Sequence, residues 1–264
     1  MRTKTAVLPG LGLICFGALA QSGGETPRNV FGQPDLTGTW DNGSGIDFVR
    51  PVRDGQSICF SGCDDLSPAA EAPSSPPPPP DRPRYKPEFQ ARVDLLNERQ
   101  VEFDPVLRCM APGVPRIGPP DKIVQQANEV IFLYDDVSGS FFRVVPTDGR
   151  GHREDVEPSY LGDAIGRYEG DVLVVETINF NGLAWLTDDG SFHTEELRVV
   201  ERISREGDTL HWEATAYDPA VLAEPWELRP RAASLTDREI VEGAPCIDRD
   251  IDHIVDGSHH DNPR

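Results

Sequence analysis

The chain has 264 residues, with 25 Lys+Arg against 45 Asp+Glu and a formal net charge of −20 at pH 7. So acidic a chain, with no basic stripe, repels polyanions and excludes nucleic acid as a natural partner. Its length suits one large β-domain or two small ones.

Arg2 and Lys4 precede an apolar stretch from Ala6 to Leu19, and Ala18-Leu19-Ala20 places small residues before Gln21. That is the layout of a secretory signal peptide cleaved after Ala20, and its apolar part is too short for a membrane anchor. The predicted location is periplasmic or secreted, with no integral membrane segment. Cys15 leaves with the leader, and four cysteines remain: Cys59, Cys63, Cys109 and Cys246. An even number in an oxidising compartment points to two disulfides. The favoured pairing is Cys59–Cys63, closing a tight CFSGC loop, with Cys109–Cys246 tying the entry of the domain to its tail. The competing zinc site has no histidine at finger spacing beside CFSGC.

Residues 21–84 read as an irregular N-terminal region, opening with a flexible lead-in over 21–34. Its first patterned run is Asp35 to Trp40, and it ends in a Pro-rich linker that includes Pro76 to Pro80. Such a linker is stiff, extended and unable to bury a core. The domain proper is placed at 85–264. Pro87 to Val101 reads as a helix, because proline suits a first turn and Phe89, Val93, Leu96 and Gln100 recur at helical spacing. Pro105 ends it, and the proline-rich segment 109–120 reads as a loop.

From Lys122 the period changes to two. Candidate strands are 122–126, 129–135, 140–147, 162–168, 171–180, 196–206, 208–218 and 225–235. Turns such as Glu169-Gly170-Asp171 and Glu206-Gly207-Asp208 are short enough to join antiparallel neighbours. The expected fold is mainly β: an antiparallel up-and-down meander forming a barrel or strongly curved sheet, lipocalin-like, which removes its own edges. Charges alternate along the strands, so the lumen is expected to be partly polar and to hold one small ligand. Exterior salt bridges on a solvated face are the competing account. Candidate ligand-binding residues are Arg150, Tyr160, Glu176, Trp185, Arg202 and Glu213.

Two long connections carry the candidate chemistry. One runs Thr147-Asp148-Gly149-Arg150-Gly151-His152 and on to Tyr160; the other runs from Asn179 through Trp185 and Asp188-Asp189-Gly190-Ser191 to Glu196. If both lie at one mouth, His152 and His193 form an acid–base pair with Asp155 and Asp188 as orienting carboxylates. The same Asp and Gly residues also make ordinary turns. The tail groups His253, His259 and His260 with Asp250, Asp252, Asp256 and Asp261, in a spacing that fits no closed metal site. Asp188 to Ser191 lacks a calcium loop's twelve-residue frame. No Gly-x-Ser-x-Gly and no Gly-rich nucleotide loop is present. No metal and no cofactor are expected.

The run Gly166-Arg167-Tyr168-Glu169-Gly170-Asp171-Val172-Leu173-Val174-Val175-Glu176-Thr177 resembles the central motif of a large group of uncharacterised exported bacterial proteins. Trp185-Leu186-Thr187-Asp188-Asp189-Gly190 is similar to a second motif of that group, and the likeness spans about Tyr85 to His260. The resemblance implies no activity. Gly38-x-Trp40 before a barrel is similar to the lipocalin pattern and implies a small-molecule pocket. Two functions follow as expectations. One is a cofactor-free isomerase, lyase or hydrolase using His/carboxylate chemistry on a small organic molecule. The other is a non-catalytic, lipocalin-like binder.

Overall fold

In a computed structural model, the described residues are 26–42, 81–136, 138–241 and Cys246, with the backbone of two short strands between them. The protein is mainly β and antiparallel. In chain order the strands are β1 (Gly38–Asp41), β2 (Val52–Arg53), β3 (Gln56–Ser57), β4 (Lys122–Gln125), β5 (Glu129–Asp136) and β6 (Gly139–Pro146). They continue with β7 (Asp163–Glu169), β8 (Val172–Ile178), β9 (Arg198–Glu206), β10 (Thr209–Tyr217), β11 (Trp226–Glu227) and β12 (Arg231–Thr236). The main sheet runs β6-β5-β4-β1-β12-β10-β9-β8-β7, with β11 added on β10, while β2 and β3 pair separately.

Two meanders, β4–β6 and β7–β10, are therefore stitched together by β12 and β1. Gly-Asp pairs at 170–171 and 207–208 make the two-residue turns of the second meander, where Glu169 faces Val172 and Glu206 faces Thr209. β1 belongs to the barrel although it precedes the Pro-rich stretch, since Trp40 faces Leu235 of β12 in register and Gly38 faces Ile123 of β4. The predicted strand 225–235 is two strands, split at Leu228–Pro230, because Pro230 has no amide to give a ladder.

The sheet curls until β6 and β7 lie side by side without pairing, so the barrel is nearly closed. Gly166 marks the seam: a Cβ there would stand 2.9 Å from Val145 Cγ1, so a side chain would push the two edges apart. The residues between β6 and β7 form a long loop rather than a hairpin, which is why these sequence neighbours end up at opposite ends of the sheet.

Inward positions fill the barrel. Trp40, Phe132, Leu173, Ile203 and Leu210 are fully buried, and Trp212 is 1% exposed. Each such side chain contributes roughly 1.5–3 kcal/mol through burial. Leu36 joins them, and its carbonyl accepts from Trp40 Nε1 at 3.0 Å. Residues 26–34, expected as a loose lead-in, are tied down. Thr26 Oγ1 donates to the Arg205 carbonyl at 3.0 Å, Arg28 pairs with Asp171, and Asn29 Oδ1 accepts from the Phe31 and Gln33 amides.

The predicted helix is a 3-10 turn, Pro87–Phe89, running into α1 (Gln90–Glu98) and a final turn α2 (Gln100–Phe103). Pro105 follows, with Asp104 capping the Val106 amide at 3.0 Å. Sγ of Cys109 lies 2.11 Å from Sγ of Cys246, the predicted pair. The predicted Cys59–Cys63 pair, the leader, the Pro-rich run and the His/Asp tail lie outside the described residues. Among the described residues, no helix is long and apolar enough to cross a membrane.

Candidate functional site

The interior of the barrel carries a buried apolar core around a buried polar cluster. Its polar groups pair across it: Arg143 Nη2 contacts Glu201 Oε2 at 2.6 Å and Thr177 Oγ1 at 2.8 Å, and Nη1 reaches the Tyr134 hydroxyl at 3.1 Å, while buried Arg143 Nε has no hydrogen-bond partner. Trp212 Nε1 donates to the other Glu201 oxygen at 3.1 Å. Burial pulls the Arg143 guanidinium down, but the Glu201 charge and the hydrogen bonds outweigh it and leave Arg143 raised. The same burial pushes the Tyr134 hydroxyl up, so it stays neutral.

Arg202 and Glu213, expected to line the lumen, face outward. They oppose each other in the β9–β10 register, and Arg202 Nη1 is held by Glu169 Oε2 at 3.0 Å beside Arg167. Period two gives the alternation but not which face is inside, and here Glu201 rather than Arg202 takes the inner position. Trp185 is a core residue, 4% exposed, and not a pocket wall. Arg150 pairs with Asp148 on the surface, and that guanidinium holds the Asp148 carboxyl down to about 2. Tyr160 is half-buried and Asp155 exposed.

The two loops part company. His152 lies over the outer face of β7 and β8, with Nδ1 3.0 Å from Asp163 Oδ2 and Nε2 3.5 Å from Glu176 Oε1. Asp163, not Asp155, is its orienting carboxylate. Asp163 also accepts from the Arg153 amide at 3.1 Å and Arg153 Nε at 2.7 Å. Partial burial works against this carboxylate, yet those hydrogen bonds prevail and lower it. On the far side, Arg198 Nη1 holds Glu176 Oε2 at 3.0 Å and covers the Tyr217 ring at 4.1 Å. Asp163, His152, Glu176, Arg198 and Tyr217 thus form one line across four strands on the barrel's exterior.

His193 is 3% exposed, with Nδ1 2.9 Å from the Thr194 carbonyl and its ring edge-on to Phe180 at 5.7 Å. That contact assigns the proton to Nδ1 and leaves buried Nε2 without a hydrogen-bond partner. Desolvation lowers its pKa. Among the described residues no hydrogen bond, ion pair or ring contact joins His193 to His152 or to Asp188.

The second loop is instead the seat of α1. At Gly190, φ is +83°, and a Cβ would meet Asn97 N at 2.6 Å and Val93 O at 2.7 Å. Phe192 stacks on Tyr85 at 5.3 Å and lies under Arg92 at 3.9 Å. Asp189 accepts from Ser191 and Thr187 and pairs with Arg82. Asp188 is raised by desolvation, while Arg116 works against that rise.

Beyond Arg198 the exterior opens into a cleft of about 810 Å³. Its floor is the ends of β8, β9 and β10, presenting Ile178, Arg198 and Tyr217, and Leu197 closes it from below. One wall is the segment 218–225. Asp218 binds it to the opposite rim, accepting from Thr194 N at 2.6 Å, Thr194 Oγ1 at 2.9 Å and Ala220 N at 3.2 Å. Lys86 braces it from the helix side, with Nζ on the Pro219 and Ala220 carbonyls at 2.6 and 3.1 Å. Reading for histidines missed Asp163, Arg198, Tyr217 and Lys86. The legible signal was that Arg198 and Tyr217 begin and end neighbouring strands, so a two-residue hairpin at 207–208 brings them into register. Among the described residues, no group of three or more His, Cys, Asp or Glu could hold a metal ion.

No family model matches the chain, and no curated protein matches it.

Proposed function

We propose that this is an exported protein that binds a small organic molecule in the cleft on the outer face of β8–β10. The observation that carries the reading is the cleft itself. Its volume of about 810 Å³ lies in the range of small-molecule sites, about 300–1,000 Å³, and it sets apolar Ile178, Leu197 and Leu222 beside Tyr217 and Arg198. A filled interior argues in the same direction, against a ligand within the barrel. The signal-peptide layout at the N-terminus and the Cys109–Cys246 pair support export to an oxidising compartment.

The test is a ligand titration followed through the Ile178, Leu197 and Leu222 methyl signals, beside the Ala223→Trp variant. Ala223 lines the cleft and is exposed, so tryptophan fills the site without touching the core. Small organic molecules are expected to shift these methyls in the native chain only. Shifts confined to Phe132, Leu173 or Ile203 would return the site to the interior.

Acid–base catalysis is the second reading, and one observation favours it. His152 lies between two carboxylates, one orienting Nδ1 and the other reaching the cleft through Arg198. Such a histidine has a fixed tautomer and a route for its proton. If turnover is found, His152→Gln is expected to lower kcat about 100- to 10,000-fold with little effect on affinity. Turnover that survives the substitution would remove this reading.

A further inference from the structure

We propose that the cleft selects an organic cation: an ammonium group carried on an apolar body. This inference rests on the binding reading above and adds the ligand's chemical class.

Charge around the cleft decides the class. Two cation–anion pairs cancel: Arg198 with Glu176 at 3.0 Å, and Arg84 with Glu224 at 3.0 Å. Four groups remain facing the space, Asp218, Glu195, Glu196 and Lys86. Lys86 donates to two carbonyls and, among the described residues, has no carboxylate partner, so it contributes one positive charge. Asp218 is 1% exposed, and among the described residues it accepts only from neutral donors, so no described cation pairs with its negative charge. Glu195 and Glu196 are exposed on the rim, and among the described residues neither forms an ion pair. The balance is one positive against three negative charges, net −2, within a chain of formal charge −20. An anion entering this cleft is repelled; a cation is drawn to it.

The floor agrees with the rim. The Tyr217 ring is already covered by the Arg198 guanidinium at 4.1 Å, so the floor offers a ligand apolar contact and its charge preference comes from the rim. Ile178, Leu197 and Leu222 offer no hydrogen bonds and suit an aliphatic or aromatic body. A ligand bearing only a charge would leave these walls unused, and a neutral apolar one would gain nothing from the exposed carboxylates Glu195 and Glu196.

The test uses three probes of nearly one shape: benzylamine as its ammonium ion, benzyl alcohol and benzoate. They are titrated into the full chain at pH 7 and followed on the cleft methyls. Benzylammonium is expected to bind about five- to twentyfold more tightly than benzyl alcohol, from two or three partly screened charges. Benzoate should bind most weakly. The preference should shrink with added salt and vanish in the Glu195→Gln/Glu196→Gln double variant. Benzyl alcohol binding as well as benzylammonium, or benzoate binding best, would overturn the cation class while leaving the cleft as the site. If no probe moves the cleft methyls, both the class and the binding reading fall.

Discussion

Arg143 and Glu201 meet inside the barrel at 2.6 Å, one from β6 and the other from β9, with 3% and 0% of their side chains exposed. They lie on strands that are far apart in the sheet order, so their contact crosses the lumen and joins the two meanders. Removing one partner strands the other without water. Glu201→Leu is expected to destabilise the fold by about 3–5 kcal/mol, and Arg143→Met/Glu201→Leu to recover most of that. Urea unfolding of the three proteins measures it, and equal losses in the single and double variants would show that the pair does not act as a unit.

Gly190→Ala should loosen the helix without opening the barrel. The positive φ and the approach of the α1 backbone to within 2.7 Å leave no room for a methyl group. A cost of roughly 2–4 kcal/mol is expected from strain and displaced packing. Hydrogen exchange should rise across residues 90–103 while β8–β10 stay protected. Uniform loss of protection would place the helix within the barrel's cooperative unit.

His193 gives stability a pH dependence. Its folded pKa is depressed by burial, so the unfolded chain binds the proton more readily. The stabilisation is therefore present above the unfolded value of about 6.5 and is lost as pH falls from there toward the folded value. The slope of stability against pH in that window is at most about 1.4 kcal/mol per pH unit for one proton. Denaturant midpoints at pH 7.5 and 5.5 should lie closer together in His193→Gln than in the native chain; an equal separation in the two proteins would mean that Nε2 is solvated.

Much of the barrel was legible because hydrophobic alternation and short Gly-Asp turns are local signals. The strands β5 to β10 start and end within about two residues of the positions read from the period. What closes the barrel was not legible. β1 is four residues long, and its partners β4 and β12 begin 84 and 193 residues after it does. Long-range pairing leaves no mark in a sequence window. The site failed for a related reason. Asp155 lies only three residues from His152 in sequence, whereas Asp163, eleven residues away, reaches it because the loop folds back over β7. Which face of β9 is inside depends on Trp212 and Arg143 together, and neither is visible from β9 alone.

The Cys109–Cys246 pair spans 137 residues and encloses every strand from β4 to β12. Restricting so long a loop in the unfolded chain is worth about 5 kcal/mol in the simple entropy model, and less where the unfolded chain keeps structure. Cys109→Ser is expected to lower the Tm measurably, and dithiothreitol to lower the native Tm to the same value. Non-reducing peptide mapping checks the connectivity directly, and free thiols at both positions would remove the prediction.

Asp163 is the pin of the loop between β6 and β7. Three contacts converge on its carboxylate: His152 Nδ1, the Arg153 amide and Arg153 Nε. The carboxyl is 5% exposed on the outer face of the barrel, so only the loop shields it from water. Its folded pKa is lowered, with burial opposing and the Arg153 and His152 contacts prevailing. Its stabilisation is therefore complete above the unfolded pKa near 3.8 and is lost as pH falls through the folded value. Asp163→Asn keeps the size but loses the charge, and an amide nitrogen now faces at least one of the three donors. The loop should then detach from β7 while the sheet beneath it persists. Arg150 and Arg153 make that detachment readable, because each is a trypsin site within the loop. Limited trypsinolysis at neutral pH is expected to cut after Arg150 or Arg153 much faster in Asp163→Asn than in the native chain, with both fragments still folded together. Should the variant resist trypsin as the native chain does, the loop is held by contacts other than this carboxylate, and His152 loses its orienting partner as a functional argument.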